Sequence, residues 1–246
     1  MAVKAVSFDL WETIIHDIGS NAWEEWRIDR FLPLLSEYGM TRDKLKDAYY
    51  EYTKKFNERR KQNHMDIDVP EQIEMMLCEL GIKPTPELVQ KIDEPYVSPA
   101  LYFPPRLNEN AAQTLAELKK RGYKIGLISN TGKTPGRVLA KLFDTYGIRG
   151  YFDALTFSNE TIFMKPHKEI FLDLAGKLGV ETSNIVHVGD ELFADIHGAH
   201  GVGMKAVWVP SSRSNFGLPK GNGASLQIKP DTEAENLGKV VEIIEK

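Results

Sequence analysis

The stretch "SFDLWETI", residues 7–14, decides how the rest of this chain is read. It closes an apolar run, "VKAVSFDL" (3–10), whose Val and Phe content and polar ending read as a buried strand. Asp9 therefore falls at the carboxyl end of a strand, and Thr13 follows four positions later. The position two after the aspartate holds an indole, Trp11. Whether Asp9 can work beside that indole is the main question about the chemistry.

Four later stretches read as buried strands in the same way: "YKIGLISN" (123–130), "DALTFS" (153–158), "NIVHVGD" (184–190) and "MKAVWVP" (204–210). Amphipathic patterns lie between them: "LNENAAQTLAELKKRG" (107–122), "PHKEIFLDLAGKLGV" (166–180) and "ELFADIHGAHGVG" (191–203). In the first, Asn108 or Asn110 fits an N-cap and Gly122 a C-terminal stop. Strands alternating with helices predict an α/β fold, a doubly wound parallel sheet covered on both faces. Ligands bind such sheets beyond the carboxyl ends of the strands. Asp9, Ser129 and Asp190 each fall at one of those ends.

Residues 16–103 break the alternation and read as helices, with Pro33 kinking or dividing the first. The expected organisation is a Rossmann-like core of residues 1–15 and 104–246, with a helical insert at 16–103. "SPALYFPPRL" (98–107) would be the return linker. A polar, glycine-rich loop, "PSSRSNFGLPKGNGAS" (210–225), precedes a last strand in "SLQIKP" (225–230) and a last helix.

Lys and Arg total 31 against 35 Asp and Glu, a formal net charge of -4, which argues against nucleic acid as the main partner. The one cysteine, Cys78, cannot form an internal disulfide, and a cytoplasmic location is the natural reading. Its place in "EQIEMMLCEL" (71–80) suggests a packed core thiol. The N-terminus shows no secretory pattern, and no stretch approaches the ~18 apolar residues of a membrane span. Oligomeric state has no signature here.

Each polar residue at the rim has a chemical use. A carboxylate such as Asp9 can attack a phosphoryl group and split one hard displacement into two. Thr13 can close the turn through its hydroxyl. Ser129, with Asn130, Thr131 and Gly132, offers a hydroxyl and backbone amides where a helix begins, which suits an anion. Lys165 supplies a fixed positive charge. Asp9, Asp190 and Asp195 would repel one another unless a cation joined them, and Mg²⁺ prefers such oxygen ligands.

The motifs "FDLWET", "LISNTG", "MKPHKEIF" and "VGDELFAD" occur in that order and span most of the chain. Together they resemble the haloacid dehalogenase superfamily of hydrolases, in the subgroup with a helical cap after the first motif. The resemblance implies a Mg²⁺-dependent hydrolase acting on a small, phosphorylated molecule, with Asp9 as nucleophile. It implies Ser129, Asn130 and Lys165 as substrate-binding groups. Asp9, Asp190 and the backbone carbonyl of Trp11 would be direct metal ligands. Asp195 would orient Lys165 or a metal-bound water from behind.

The family's phosphatases carry a second aspartate where this chain has Trp11, and that aspartate protonates the leaving oxygen and later activates water. Indole cannot replace it. Glu12, in an extended turn, is expected to point elsewhere. The expected consequence is a slow phosphatase, or one limited to good leaving groups. An aromatic at this position also resembles the 2-haloacid dehalogenases, whose halide leaves without a proton; those enzymes need no metal, whereas Asp190 and Asp195 favour one. A non-catalytic binding descendant of the fold is a third reading. His187 is expected to be structural, and His197 and His200 to lie on a helix surface or pack there. His16 is a substrate-contact candidate. Trp23, Trp26, Arg27 and Arg30 fit either helix packing or substrate contact.

Overall fold

The first strand, β1 (Ala5–Asp9), sits in the middle of the main sheet in the computed structural model, which describes residues 2–17, 21–211 and 228–246. The other strands of that sheet are β4 (Lys124–Ser129), β5 (Ala154–Phe157), β6 (Ile185–Gly189), β7 (Lys205–Trp208) and β8 (Thr232–Glu233). Their order is β5-β4-β1-β6-β7-β8, and every neighbouring pair is parallel.

The two-residue period of the strands explains the layers. Val6, Phe8, Ile125, Leu127, Val186 and Val188 join one buried cluster, with helices α6 (Ala111–Lys120), α7 (Gly136–Thr145) and α11 (Val240–Ile244) on that face. Ala5, Ile128, Ile185 and Ala206 point the other way. They pack against α9 (Lys168–Leu178), a π-helical turn (Leu192–His197) and α10 (Gly198–His200). Both faces are covered, so the expected doubly wound sheet is the one observed. The chain runs from β1 outward through β4 and β5, then returns to β6 on the other side of β1. The rim beside β1 is the place where such sheets bind ligands.

Between β1 and α6 the chain is mainly helical: α1 (Ala22–Leu35), α2 (Arg42–Asn63), α3 (Val69–Glu79), α4 (Pro86–Val97) and α5 (Pro99–Tyr102). Local chemistry starts three of them. The side chains of Thr41, Asp68 and Thr85 accept backbone N–H groups of Lys44, Glu71 and Leu88, and Pro70 and Pro86 occupy first-turn positions. These helices hold a cluster of their own around Phe31, Tyr49, Ile73 and Ile92, to which Val138 of α7 contributes. Pro33 lies inside α1, which continues to Leu35.

Several expectations need correction. Residues 15–16 form a short strand, β2 (Ile15–His16), paired antiparallel with β3 (Arg106–Leu107), so the chain leaves and rejoins the sheet through a ribbon. The return linker contains α5 rather than irregular chain alone. Most of the glycine-rich loop, and residues 225–227 of the expected last strand, lie outside the described residues. Residues 228–230 are not a strand, and the last one is β8 at Thr232–Glu233. Cys78 is exposed, because Ile73, Met76, Leu77 and Leu80 set the buried stripe and position 78 falls off it. Among the described residues, no helix is long and apolar enough to cross a membrane.

Candidate active site

The carboxyl ends of β1 and β6, the π-helical turn and the loop after α8 (Ser158–Thr161) bring four charged side chains together. Asp9 is the last residue of β1 and is 5% exposed. The Lys165 ammonium donates to Asp9 Oδ1 and, at 2.6 Å, to Asp195 Oδ1. Asp190 follows β6, and its Oδ2 accepts from the Ser211 hydroxyl at 2.6 Å. Ligand oxygens of Asp9, Asp190 and Asp195 all lie within 4.8 Å of one another. Asp9 Oδ2 is buried and has no hydrogen-bond partner among the described residues.

The close packing has a sequence cause. A Cβ at Gly189 would lie 2.3 Å from Asp195 Cγ, so only glycine lets the π-helical turn bring Asp195 against the end of β6. Asp195 Oδ2 accepts the Glu191 N–H at 2.9 Å, which fixes the carboxylate from its own turn. The Lys165 loop is fixed by Asn130, whose Oδ1 accepts the Lys165 N–H at 2.8 Å and whose Nδ2 donates to the Lys165 carbonyl at 3.2 Å.

Burial and neighbours set the charges. Burial pushes Asp190 up to about 7, with Asp195 adding to the rise. Burial likewise raises Asp9 well above the usual carboxylate range, against the pull of Lys165. Burial works against ionised Asp195 too, but Lys165 and the His187 hydrogen bond outweigh it and hold that carboxyl low. Lys165 stays charged because Asp195 and Asp9 overcome its own desolvation. A cavity of about 580 Å³ opens over this group, lined by Asp9, Trp11, Glu12, Asn130, Lys165 and Asp190 among others. The arrangement offers a buried carboxylate at a strand end, a fixed cation and a set of hard oxygen donors at one mouth.

A family model for haloacid dehalogenase-like hydrolases matches residues 3–203. The chain belongs to the haloacid dehalogenase-like hydrolases. It is 27% identical over 243 residues, 98% of each chain, to a glyceraldehyde 3-phosphate phosphatase of Methanopyrus kandleri. Among solved structures, a haloacid dehalogenase-type phosphatase from Thermococcus onnurineus matches with a TM-score of 0.58 and 24% identity, covering 98% of both chains. A 2-haloacid dehalogenase from Pseudomonas syringae pv. Tomato matches with a TM-score of 0.68 and 23% identity, covering 99% of this chain and 98% of that one. The two structures share the fold.

Within this hydrolase, the residues singled out in the sequence fall as follows. Asp9, Lys165, Asp190 and Asp195 converge, and Trp11 lines their cavity. Ser129 ends β4 fully buried, its hydroxyl without a partner among the described residues. It does not begin a helix: a loop follows, and α7 starts at Gly136. The Asn130 side chain is engaged with the Lys165 backbone at both ends, so it positions that loop. The Thr13 hydroxyl is buried and unpartnered, and backbone bonds close the turn instead, with Leu10 accepting from Ile14 and Ile15 and Ile15 accepting from Glu12. Glu12 is not extended; its φ is 63°, it lines the cavity, and its carboxylate accepts from the Asp17 N–H at 3.1 Å and meets His16 Nδ1 at 3.2 Å. His200 pairs with Asp231 at 2.8 Å, and His197 stacks on Phe193.

The sequence reading missed a support layer. Burial lowers the pKa of His187 against the pull of Asp195; its Nε2 lies 3.3 Å from Asp195 Oδ1 and its Nδ1 2.8 Å from the Ser7 hydroxyl. A buried chain therefore runs from Ser7 through His187, Asp195 and Lys165 to Asp9. A polar pair inside a buried strand pattern, Ser7 with His187, was its only trace in the sequence. Asp66 was also missed. It is buried, binds Arg60 at 2.7 Å, and accepts from the Ser158 hydroxyl.

Proposed function

We propose that the chain is a Mg²⁺-dependent phosphatase of small phosphorylated molecules that works through an aspartyl-phosphate on Asp9. One observation carries this reading: three buried carboxylates lie within 4.8 Å of one another, with Lys165 bridging Asp9 and Asp195. A buried acidic trio of that kind is costly without added positive charge. The phosphatase named for the Methanopyrus kandleri relative points the same way.

The residues suit the ion. Asp9 Oδ2 is buried and unpartnered, and Asp190 is held near neutrality by burial. Asp9 and Asp190, with the Trp11 carbonyl, would hold Mg²⁺, a hard ion that accepts few protein carboxylates and keeps waters. When bound, it would supply positive charge to the carboxylates and to the phosphoryl oxygens. Asp195 stays on Lys165 and orients it.

The chemistry is then a pair of displacements at phosphorus. An Asp9 oxygen attacks, its bond to phosphorus forms, and the ester oxygen leaves with the bonding pair. Water next attacks phosphorus, the Asp9–phosphorus bond breaks, and Asp9 recovers its carboxylate as phosphate departs. Lys165 offsets charge on Asp9 and on the phosphoryl oxygens throughout, and the Ser129 hydroxyl is the further donor at the rim. No carboxylate occupies position 11, so the leaving oxygen departs without a proton from that site. Residues 16–103 would act as a cap that selects the substrate. The single cysteine favours a cytoplasmic setting.

Trp11 supports a second reading, a 2-haloacid dehalogenase. A screen of phosphate esters and 2-haloacids, with and without Mg²⁺, reading phosphate and halide, separates the two. Phosphate release that requires Mg²⁺ is the expected result, and halide release in excess chelator would overturn it.

A further inference from the structure

Beside the reacting cavity lies a second one of about 410 Å³, lined from the helices by Arg27, Thr53 and Arg60 and from the sheet's rim by Trp11 and Lys133. Trp11 lines both cavities, and the loop after β4 also serves both: Asn130 faces the first, Thr131 to Lys133 the second. The two spaces therefore adjoin at the indole.

The charges there are unevenly matched. Arg60 is paired bidentately with Asp66, at 2.7 and 3.1 Å. Arg27 donates from Nε to the Tyr96 carbonyl at 2.6 Å and has Glu24 at 3.7 Å; Glu24 and Asp17 also line the cavity. Lys133 donates to the Tyr49 hydroxyl at 2.9 Å and to Thr53 Oγ1 at 2.6 Å, and its ammonium lies 4.4 Å from the centre of the Tyr49 ring. Among the described residues, no carboxylate comes within ion-pair distance of it. Burial, with Arg27 and Arg60 and against the pull of Glu24, disfavours its charged form. An anion entering the cavity would supply the missing partner, and an ammonium already held by two hydroxyls and a ring face is positioned to receive it.

We propose that this second cavity binds an anionic tail of the substrate, a carboxylate or a second phosphate, through Lys133. The proposal rests on the phosphatase reading and narrows its substrate class to phosphate esters that carry a second negative group. It also makes Trp11 the wall between the reacting end and the tail.

The test uses inert phosphonates and the whole protein with Mg²⁺, so it does not depend on turnover. Calorimetric titration compares propylphosphonate, phosphonopropanoate and propane bisphosphonate. At least one anionic tail should bind wild type roughly ten- to hundredfold tighter than the neutral one, the range of a charge-assisted hydrogen bond. The better of the two anionic tails identifies the source. Lys133→Met should bring that preference to within about threefold, with its melting curve recorded to establish folding. If all three ligands bind wild type equally, the tail proposal fails while the phosphatase reading stands. If none binds, both fail. A preference retained in folded Lys133→Met removes Lys133 from the role. The wild-type comparison decides the matter even where the variant does not fold.

Discussion

Lys165→Met separates the electrostatic part of this site from its shape. The side chains are close in length, but Met cannot donate to Asp9 or, at 2.6 Å, to Asp195. Two buried carboxylates would then lose their shared cation while Asp190 remains within 4.8 Å. At an effective dielectric near 20, two like charges at that distance repel by about 3 kcal/mol. Removing one partner of a buried pair costs about 3–5 kcal/mol in general, so the two routes agree. The metal-free variant should lose about 3–5 kcal/mol of unfolding free energy at pH 8. The pH dependence follows from the sign. Without Lys165 the Asp9 carboxyl, already raised by burial, rises further and Asp195 loses the charge that holds it low, so the penalty is absent below the unfolded pKa and grows as pH climbs toward the folded one. The deficit should therefore be smaller at pH 5 than at pH 8, and Mg²⁺ should recover part of it. Urea denaturation with chelator or with Mg²⁺, at both pH values, measures this. A loss under about 1 kcal/mol that is equal at both pH values would mean that Lys165 does not hold charged carboxylates together.

With Trp11 in the acid's place, rates should fall steeply as the leaving group becomes more basic, and Trp11→Asp should gain toward the lower end of ~10²–10⁴-fold on alkyl phosphates and much less on aryl phosphates; a flat leaving-group series in wild type would show another acid at work. Asp190, raised to about 7, stays protonated in the fold at pH values where the unfolded chain ionises it. It therefore costs stability progressively as pH rises from about 4 to 7, and metal-free Asp190→Asn should gain on wild type over that window in denaturation curves, while losing Mg²⁺ activation. His187→Phe should shift the pH profile of kcat through Asp195 and Lys165, because His187 Nε2 lies 3.3 Å from Asp195; an unchanged profile with normal folding would leave His187 a packing residue. Asp9→Asn should abolish turnover with the fold intact, as read by activity and circular dichroism.

The sheet was legible because its long strands are apolar runs, and polar groups at or just past the ends of three of them are Asp9, Ser129 and Asp190. The two-residue strands β2, β3 and β8 are too short to show a period. The conformation of Glu12 was illegible for another reason: nothing in "FDLWET" announces a left-handed φ at a glutamate. Lys133 gave no signal, since its partners Thr53 and Tyr49 are 80 and 84 residues away and belong to a different layer. His187 was read as part of a buried strand, which is correct, but its contact with Asp195 depends on the π-helical turn folding back over Gly189. Local pattern thus located the charged groups, and tertiary packing determined what supports them.

The fate of water's oxygen atom distinguishes attack on phosphorus from attack on the Asp9 carboxyl carbon. Wild type turns over an aryl phosphate with Mg²⁺ in H₂¹⁸O, with rapid quench and mass spectrometry of both the released phosphate and the peptide containing Asp9. Attack of water on phosphorus predicts a transient phosphoryl group on Asp9, label in the phosphate and none left in the Asp9 carboxylate. The contradicting result is no phosphoryl group on Asp9, together with label accumulating in its carboxylate during halide release from a 2-haloacid. That pattern would place water's attack on the Asp9 acyl carbon and make the protein a dehalogenase.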